Sequence, residues 1–201
     1  MMSVMTAKSE QKAATRESIL DSAARMVRSR GIVGARVADV MKGAGLTVGG
    51  FYAHFPSKEN LVDEAIRRTG AALREHLFAR LDDKPEADRA EVVLKRYLSA
   101  AHRDEEVPGC PLPAVVGEIG TTAPEHARVL AEQVESIAAR LEEHLPRRRG
   151  AGARTLAIGL VALMIGGLSL ARALRGSDLS DEVLRACRAL GAAALRAAPK
   201  A

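Results

Sequence analysis

Side chains suited to binding phosphate gather in one short stretch, residues 45–55, which reads GLTVGGFYAHF. Thr47 carries a hydroxyl, Tyr52 a phenol and His54 an imidazole, and Lys58 adds an ammonium group just beyond. Hydroxyl, amide and cationic groups of this kind hold the backbone of nucleic acids without making or breaking covalent bonds. The stretch therefore indicates binding of a polyanion and not catalysis.

A second set of residue types would suit nucleophilic chemistry. Cys110 could act as a nucleophile, His102 or His126 as its base and Glu118 as the group that orients the base. Nothing in the spacing of these residues marks them as partners, and the sequence has neither a glycine-rich phosphate loop nor a metal-spaced His/Cys set. We therefore expect no enzyme activity, no cofactor and no metal site.

The composition favours helix throughout the 201 residues. Hydrophobic residues make up 47%, charged residues 27% and aromatic residues 2%, and runs of β-branched residues at period two are missing. We expect an all-α protein. Two cysteines, Cys110 and Cys187, cannot form a disulfide framework, and the polar start has no apolar signal-peptide core, so we expect a cytoplasmic location.

The charge is uneven along the chain. The formal net charge is +5, and the first 60 residues hold nine Lys and Arg against five Asp and Glu. A local basic surplus suits DNA, and a solvated helix face would carry it equally well.

Periodic apolar residues and capping signals predict four helices in the first third, following a disordered tail of residues 1–14. The predicted helices are residues 15–30, 37–44, 48–55 and a long one from Lys58. Gly31 stops the first helix, Gly45 closes the second, and Thr47 and Ser57 cap the third and fourth.

Two short helices joined by a glycine-containing turn are typical of a helix-turn-helix, whose second helix enters the major groove of DNA. Thr47 and the backbone N–H groups at that helix start would face a phosphate. Gly49 and Gly50 would let the backbone approach closely. We expect Phe51 and Phe55 to form the core of this module, while Tyr52 and His54 point outward. An alternative reading places all three aromatic rings in the core.

Residues 44–62, AGLTVGGFYAHFPSKENLV, resemble the DNA-binding module of the TetR family of transcription regulators. The resemblance implies a nine-helix, Ω-shaped homodimer. Its first three helices bind a palindromic operator in double-stranded DNA, its middle helices enclose a small-molecule effector, and its last two helices form the dimer interface. Carried over by position, the DNA-binding residues are Thr47, Val48, Gly49, Gly50, Tyr52, His54 and Lys58, and Arg36 is a further candidate at a position that departs from the family pattern.

Two positions depart from the family pattern. Arg36 stands where a Ser or Thr usually caps the second helix three residues before an acid, here Asp39, so the capping box is broken. Arg36 would contact a phosphate or pair with Asp39, and the sequence leaves both open. Val48 replaces a frequent basic residue, and any base contact it makes would be to a thymine methyl.

The remaining chain predicts a separate ligand-binding and dimerisation domain. We divide the protein into the tail, a helix-turn-helix domain of residues 15–60, a connecting helix of residues 61–82 and a C-terminal domain of residues 83–201. The predicted helices of that last domain are residues 86–104, 113–120, 124–145, 154–174 and 180–197, with residues 147–150 as a loop. The uncharged segment 155–171 is shorter than a usual membrane span, so we expect it to be buried by protein at the dimer interface and expect no membrane partner.

Side chains in the C-terminal domain supply candidates for an effector site. The candidates are Tyr97, His102, Cys110, Leu112, Glu118 and Met164. Each has a plain alternative as a core or solvated residue, and the effector's identity is not readable beyond an apolar or aromatic body. The sequence thus predicts a ligand-released repressor. The alternatives are a redox-sensing regulator that uses Cys110 and, less favoured, the cysteine enzyme.

Overall fold

The computed structural model describes residues 2–104, 109–145 and 151–197. All regular secondary structure in this part of the chain is helical, and it contains no strand, as the composition predicts. The α-helices are α1 (Met2–Gly34), α2 (Val37–Gly43), α3 (Lys58–Phe78), α4 (Arg89–Tyr97), α5 (Ala100–Arg103), α6 (Leu112–Ile119), α7 (Ala127–Glu142), α8 (Ala151–Ala173) and α9 (Asp178–Arg196). Short 3₁₀ helices cover Val48–Ala53, Glu86–Asp88 and Pro124–His126.

Helix α1 is longer than the sequence predicts. It begins at Met2, so the helix continues through the segment for which we expected a disordered tail. Its regular geometry is interrupted at Gly31, where φ is 72° and ψ is −171°. This left-handed φ suits glycine, and it accounts for the stop signal read from the sequence.

Helix α3 connects the N-terminal helices to the rest of the protein. It begins as predicted, because the Ser57 side chain accepts a hydrogen bond from the Asn60 N–H at 3.1 Å. Ion pairs join α3 to α1, with Arg16 Nη2 2.6 Å from Glu64 Oε2 and Arg68 bound to Glu17. Since α3 also packs against α7, it spans both parts of the molecule.

The helix predicted for residues 86–104 is wrong as a single element. The chain forms the 3₁₀ helix Glu86–Asp88, then α4, and leaves helical geometry at Leu98, whose ψ is 48°. Ser99 starts α5 by accepting the His102 N–H at 3.1 Å. Serine competes for nearby backbone groups in this way, and here its local capping bonds end one helix and begin the next.

Helices α8 and α9 pack closely because glycine removes side-chain bulk at their contacts. A Cβ atom on Gly167 would lie 2.8 Å from Cys187 Sγ, and one on Gly191 would lie 2.5 Å from Leu94 Cδ2 of α4. Within the described chain, the helical segment Gly152–Ala173 is long and apolar enough to cross a membrane. However, 44% of its most apolar stretch is buried inside the protein. The predicted loop 147–150 lies outside the described residues.

Candidate DNA-binding surface and buried polar cluster

A tight turn sets the angle between α2 and the following 3₁₀ helix. Gly45 has a φ of 75°, its N–H donates to Lys42 O at 3.0 Å, and the Leu46 N–H donates to Met41 O at 2.9 Å. These two bonds form a Schellman motif, which requires the left-handed conformation that glycine adopts without strain. The turn therefore ends α2 and redirects the chain toward Thr47.

The predicted third α-helix of residues 48–55 is wrong in type, because residues Val48–Ala53 form a 3₁₀ helix. Two consecutive glycines in so short an element weaken α-helical preference, and the tighter 3₁₀ form is common in short pieces. Thr47 occupies the N-cap position, but its side chain makes no capping hydrogen bond. The Thr47 hydroxyl is consequently available for another acceptor or donor.

Phe51 and Phe55 are fully buried and form the core of the module, as predicted. Their rings stack with centroids 6.0 Å apart, and the Arg16 guanidinium lies 4.5 Å from the Phe55 ring centroid. Tyr52 is 77% exposed and meets only the edge of Phe51. The alternative that all three rings are core is therefore wrong for Tyr52.

Four residues share an exposed position around the 3₁₀ helix, and we call them the candidate DNA-binding surface. They are Thr47, Val48, Gly49 and Tyr52. Val48 is 50% exposed, and a Cβ atom on Gly49 would meet no atom within 4 Å. A surface so open at its backbone permits close approach by a ligand as large as a duplex.

The other predicted DNA contacts differ in how exposed they are. Gly50 faces inward, where a Cβ atom would lie 3.9 Å from Met41 Cε, so the protein and not DNA is its near neighbour. His54 and Lys58 are half-buried. Arg36 is exposed at the start of α2, gives no side-chain cap there, and forms no ion pair with Asp39 in the described structure. The pairing of Arg36 with Asp39 is therefore not formed, and its contact with a phosphate stays a prediction.

Three predicted effector residues meet in the C-terminal domain, and we call Tyr97, His102 and Cys110 the buried polar cluster. The Cys110 N–H donates to His102 Nε2 at 2.9 Å, and His102 Nδ1 lies 2.7 Å from Tyr97 O. Because Nε2 accepts a hydrogen bond, Nδ1 carries the proton and donates to the Tyr97 carbonyl. The imidazole is thus neutral and fixed at both nitrogens.

Burial sets the protonation of the cluster. It lowers the pKa of His102 to about 4 and raises the pKa of the Cys110 thiol to about 11. It also raises the pKa of Tyr97, whose hydroxyl lies beside the Cys110 thiol, a weak hydrogen-bonding group, and makes no hydrogen bond of good geometry to a described residue. A buried hydroxyl without a hydrogen-bond partner destabilises the folded state, so its presence here needs a physical explanation.

The remaining predicted effector residues divide between two places. Leu112 follows Cys110 into α6 and is buried, and Met164 is buried on α8. Glu118 does not belong with them, because its carboxylate accepts the Ile32 N–H at the end of α1. The prediction that Glu118 lines the effector site is therefore not supported; its position near the end of α6 directs it toward α1.

Polar contacts between α3 and the chain around α7 were not predicted. Asp63 Oδ1 lies 2.7 Å from His126 Nδ1, Arg67 Nε donates to Glu132 Oε2 at 2.8 Å, and Arg74 donates to Gln133 Oε1 at 2.7 Å. Gln133 is buried on the same face as Val129 and Ile137. A glutamine on that apolar stripe was the available signal for this contact.

The geometry does not support cysteine catalysis. His102 accepts the backbone N–H of Cys110 and not its thiol, while His126 pairs with Asp63 and Glu118 binds α1. A thiol with a raised pKa holds almost no thiolate at neutral pH, and thiolate is the reactive form.

Comparison with known proteins agrees with this geometry. The model of the bacterial regulatory proteins of the tetR family matches residues 19–65. The HTH-type transcriptional repressor KstR2 of Mycobacterium tuberculosis (strain ATCC 25618 / H37Rv) is 41% identical over 68 residues, which cover 34% of this chain and 32% of the relative. KstR2 of Rhodococcus jostii is 41% identical over 56 residues, or 28% of each chain. The match thus spans about a third or less of these relatives.

Solved structures extend the likeness to nearly the whole chain. A TetR transcriptional regulator from Chloroflexus aurantiacus is 27% identical with a TM-score of 0.75, covering 94% of this chain and 97% of the other. Reduced NemR of E. coli has a TM-score of 0.75 at 21% identity and covers 94% of this chain and 100% of the other, which shows the fold alone. Residues 19–65 therefore resemble the N-terminal domain of the tetR family, and the described chain is similar over nearly its whole length to a TetR transcriptional regulator.

Proposed function

We propose that this protein represses transcription by binding a palindromic operator as a homodimer in the cytoplasm. The observation that carries the proposal is the exposed candidate DNA-binding surface, held in place by the buried Phe51 and Phe55. Because the first helices also hold most of the chain's basic surplus, the region suits a phosphate backbone. The names of the KstR2 relatives support repression over activation.

We assign different tasks to the residues of this surface and to the predicted DNA contacts beside it. Thr47, Tyr52 and Lys58, with His54 and Arg36, bind phosphates and set the orientation on the duplex. Val48 and Gly49 lie at the base edges, where the Val48 methyl groups would contact thymine. Gly50 supports the turn from inside because its near neighbour is Met41.

Selection of bound sequences from a random DNA pool at about 150 mM salt tests operator binding, since this salt suppresses attraction by charge alone. We expect a palindrome whose half-sites lie about one helical turn apart. Replacing Val48 should change the preferred sequence, whereas Lys58→Ala should weaken all sequences alike. Recovery of no enriched sequence would contradict the proposal, and a uniform loss for Val48 variants would contradict the groove assignment.

The dimer interface is assigned to α8 and α9. Large apolar side chains remain exposed there in a single chain, with Ile158 at 40%, Leu170 at 57% and Leu190 at 63%. An apolar groove of about 410 Å³ runs between the helices, bordered by Gly159 and Leu163 of α8 and by Leu190 of α9. Exposed apolar surface of this kind marks a protein interface.

Sedimentation of the purified protein tests the dimer. The wild type should sediment as a dimer, and Leu190→Glu should shift it to monomer and reduce operator affinity, since each half-site then binds alone. The matched control is Leu179→Glu, because Leu179 is also 50% exposed but does not line the groove. Equal behaviour of the two variants would show that the groove is not the interface.

We assign effector recognition to the buried polar cluster, with Leu112 and Met164 as apolar lining. The unpaired Tyr97 hydroxyl supports this assignment, because a bound molecule with a hydrogen-bonding group would satisfy it. An effector with an apolar body and one polar group fits such a setting. The alternative redox sensor is disfavoured, since Cys110 is fully buried and its pKa is raised to about 11.

Release of fluorescent operator DNA provides a screen for the effector. A compound that releases wild-type protein should act more weakly on Tyr97→Phe, which keeps the ring and removes only the hydroxyl. Cys110→Ser serves as the test of the redox alternative. Loss of peroxide-induced release in Cys110→Ser, with no compound that depends on Tyr97, would favour the redox sensor over the proposed ligand response.

A further inference from the structure

A cleft of about 340 Å³ lies between α1, α6 and the end of α8, outside the candidate DNA-binding surface. Arginine side chains from two parts of the chain line it, with Arg28 on α1, Arg172 near the end of α8 and Arg175 just after that helix. Ser29 and Ser169 also border it. We call this site the arginine cleft.

The arginines at the end of α8 are held in place by main-chain oxygens. Arg172 donates from Nη1 to Cys110 O at 3.3 Å and from Nη2 to His102 O at 3.1 Å. Arg175 Nη2 donates to Arg103 O at 2.5 Å, and its Nε lies 3.4 Å from Asp104 Oδ1. These contacts orient the guanidinium groups before a ligand arrives, which reduces the entropy lost on binding.

The serine hydroxyls contribute less to recognition. Ser169 Oγ donates to Ile165 O at 2.8 Å and Ser29 Oγ donates to Arg25 O at 2.9 Å, both within their own helices. Each arginine carries five N–H donors whereas each serine carries one O–H donor, so the guanidinium groups supply most of the donors that line the cleft. Their planar fork matches the oxygens of phosphate and carboxylate groups.

We propose that the arginine cleft binds a small molecule through a phosphate or carboxylate group. The volume lies at the lower end of the range for small-molecule sites, so the cleft suits a compact anion or the charged end of a longer molecule. It differs from the proposed effector site in its chemistry, because it is open and lined by cations whereas the buried polar cluster is neutral and enclosed. Its function does not depend on the cluster binding an effector.

Thermal unfolding of the full-length protein tests this site with sodium phosphate and sodium citrate as probes, at ionic strength held constant with sodium chloride. A ligand bound to the folded state raises the midpoint in a saturable manner. We expect phosphate, citrate or both to raise the midpoint by several degrees at about 10 mM, and the responding probe identifies the preferred anion. A response no larger than that to chloride would overturn the proposal.

Two variants locate the response. Arg175→Gln removes one guanidinium, and Ala173→Glu places a carboxylate on the exposed lining of the cleft without removing a native contact. Both should lose most of the midpoint shift, and Ala173→Glu carries the test if Arg175→Gln folds poorly. The matched control is Arg128→Gln, since Arg128 is an exposed arginine on α7. The proposal is wrong if both cleft variants respond as strongly as Arg128→Gln.

Discussion

The candidate DNA-binding surface exposes its polar side chains, whereas the buried polar cluster encloses them. Tyr52 is 77% exposed and depends on the fully buried Phe51 and Phe55 only for its position. His102 is itself buried and holds two backbone segments together through both ring nitrogens. The first region therefore separates its binding groups from its core, whereas in the second the same side chains serve stability and the proposed recognition.

This difference predicts which substitutions unfold the protein and which affect binding alone. In the DNA-binding region, function should be removable at small cost in stability, provided that the aromatic core remains. In the buried polar cluster, altering function should also alter stability, because buried polar groups must keep their partners.

The largest effect is expected for Phe51→Ala. Loss of a fully buried aromatic ring leaves a cavity and should cost about 3–5 kcal/mol of unfolding free energy. Urea denaturation followed by circular dichroism measures this change. Tyr52→Ala is the control and should cost less than about 0.5 kcal/mol, as surface substitutions usually do. Equal losses for the two would remove the distinction between core and surface rings.

The pH dependence of stability tests the buried polar cluster. Burial lowers the folded-state pKa of His102 to about 4 from an ordinary value of 6.5, so the unfolded chain binds more protons between these values. The stabilisation that comes from His102 staying neutral in the folded state is fully present above pH 6.5, and it is lost as the pH falls toward 4. We expect the free energy of unfolding to fall by about 2 kcal/mol between pH 7.5 and pH 5, as measured by urea denaturation at each pH.

The variant His102→Gln tests whether His102 causes this loss of stability at low pH. In His102→Gln the pH-dependent part should shrink, because glutamine does not titrate. His144, which is less buried and whose pKa is also lowered by burial, provides the control through His144→Gln. If His144→Gln flattens the profile and His102→Gln does not, His102 is not the controlling group.

Tyr52→Ala should weaken operator binding without unfolding the protein. Removal of one phosphate contact should lower affinity about tenfold, which corresponds to about 1.4 kcal/mol. Fluorescence anisotropy with the selected operator and with an unrelated duplex measures the loss. Because phosphate contacts are independent of sequence, both duplexes should be affected alike. A loss confined to the operator would instead assign Tyr52 to base recognition.

The smallest effects on stability are expected for the paired glycines. Neither Gly49 nor Gly50 has a positive φ, and both accept a Cβ atom without a clash, so alanine should stabilise each by about 0.5–1 kcal/mol. Only Gly49 faces open space, so Gly49→Ala should lower operator affinity severalfold while Gly50→Ala leaves it nearly unchanged. The reverse order of affinities would contradict the orientation of this 3₁₀ helix.

Local signals predicted much of the N-terminal structure. The Gly31 interruption, the Gly45 turn, the Ser57 cap and the buried Phe51 and Phe55 depend on backbone preferences and short-range spacing, which the sequence contains. The break at Leu98 and the 3₁₀ form of Val48–Ala53 were missed. At both places the free-energy difference between a continued α-helix and the observed conformation is small. Local capping or packing is therefore enough to determine which of the two forms.

The sequence by itself determined the helical class, the helix-turn-helix and its resemblance to TetR regulators, because these follow from composition, periodicity and a contiguous motif. Only the tertiary structure brought His102 to the Cys110 backbone, turned Glu118 toward α1 and placed Arg28 beside Arg172 and Arg175. These contacts join residues on different elements of the fold. Their geometry depends on how the helices pack, which spacing along a single chain does not specify.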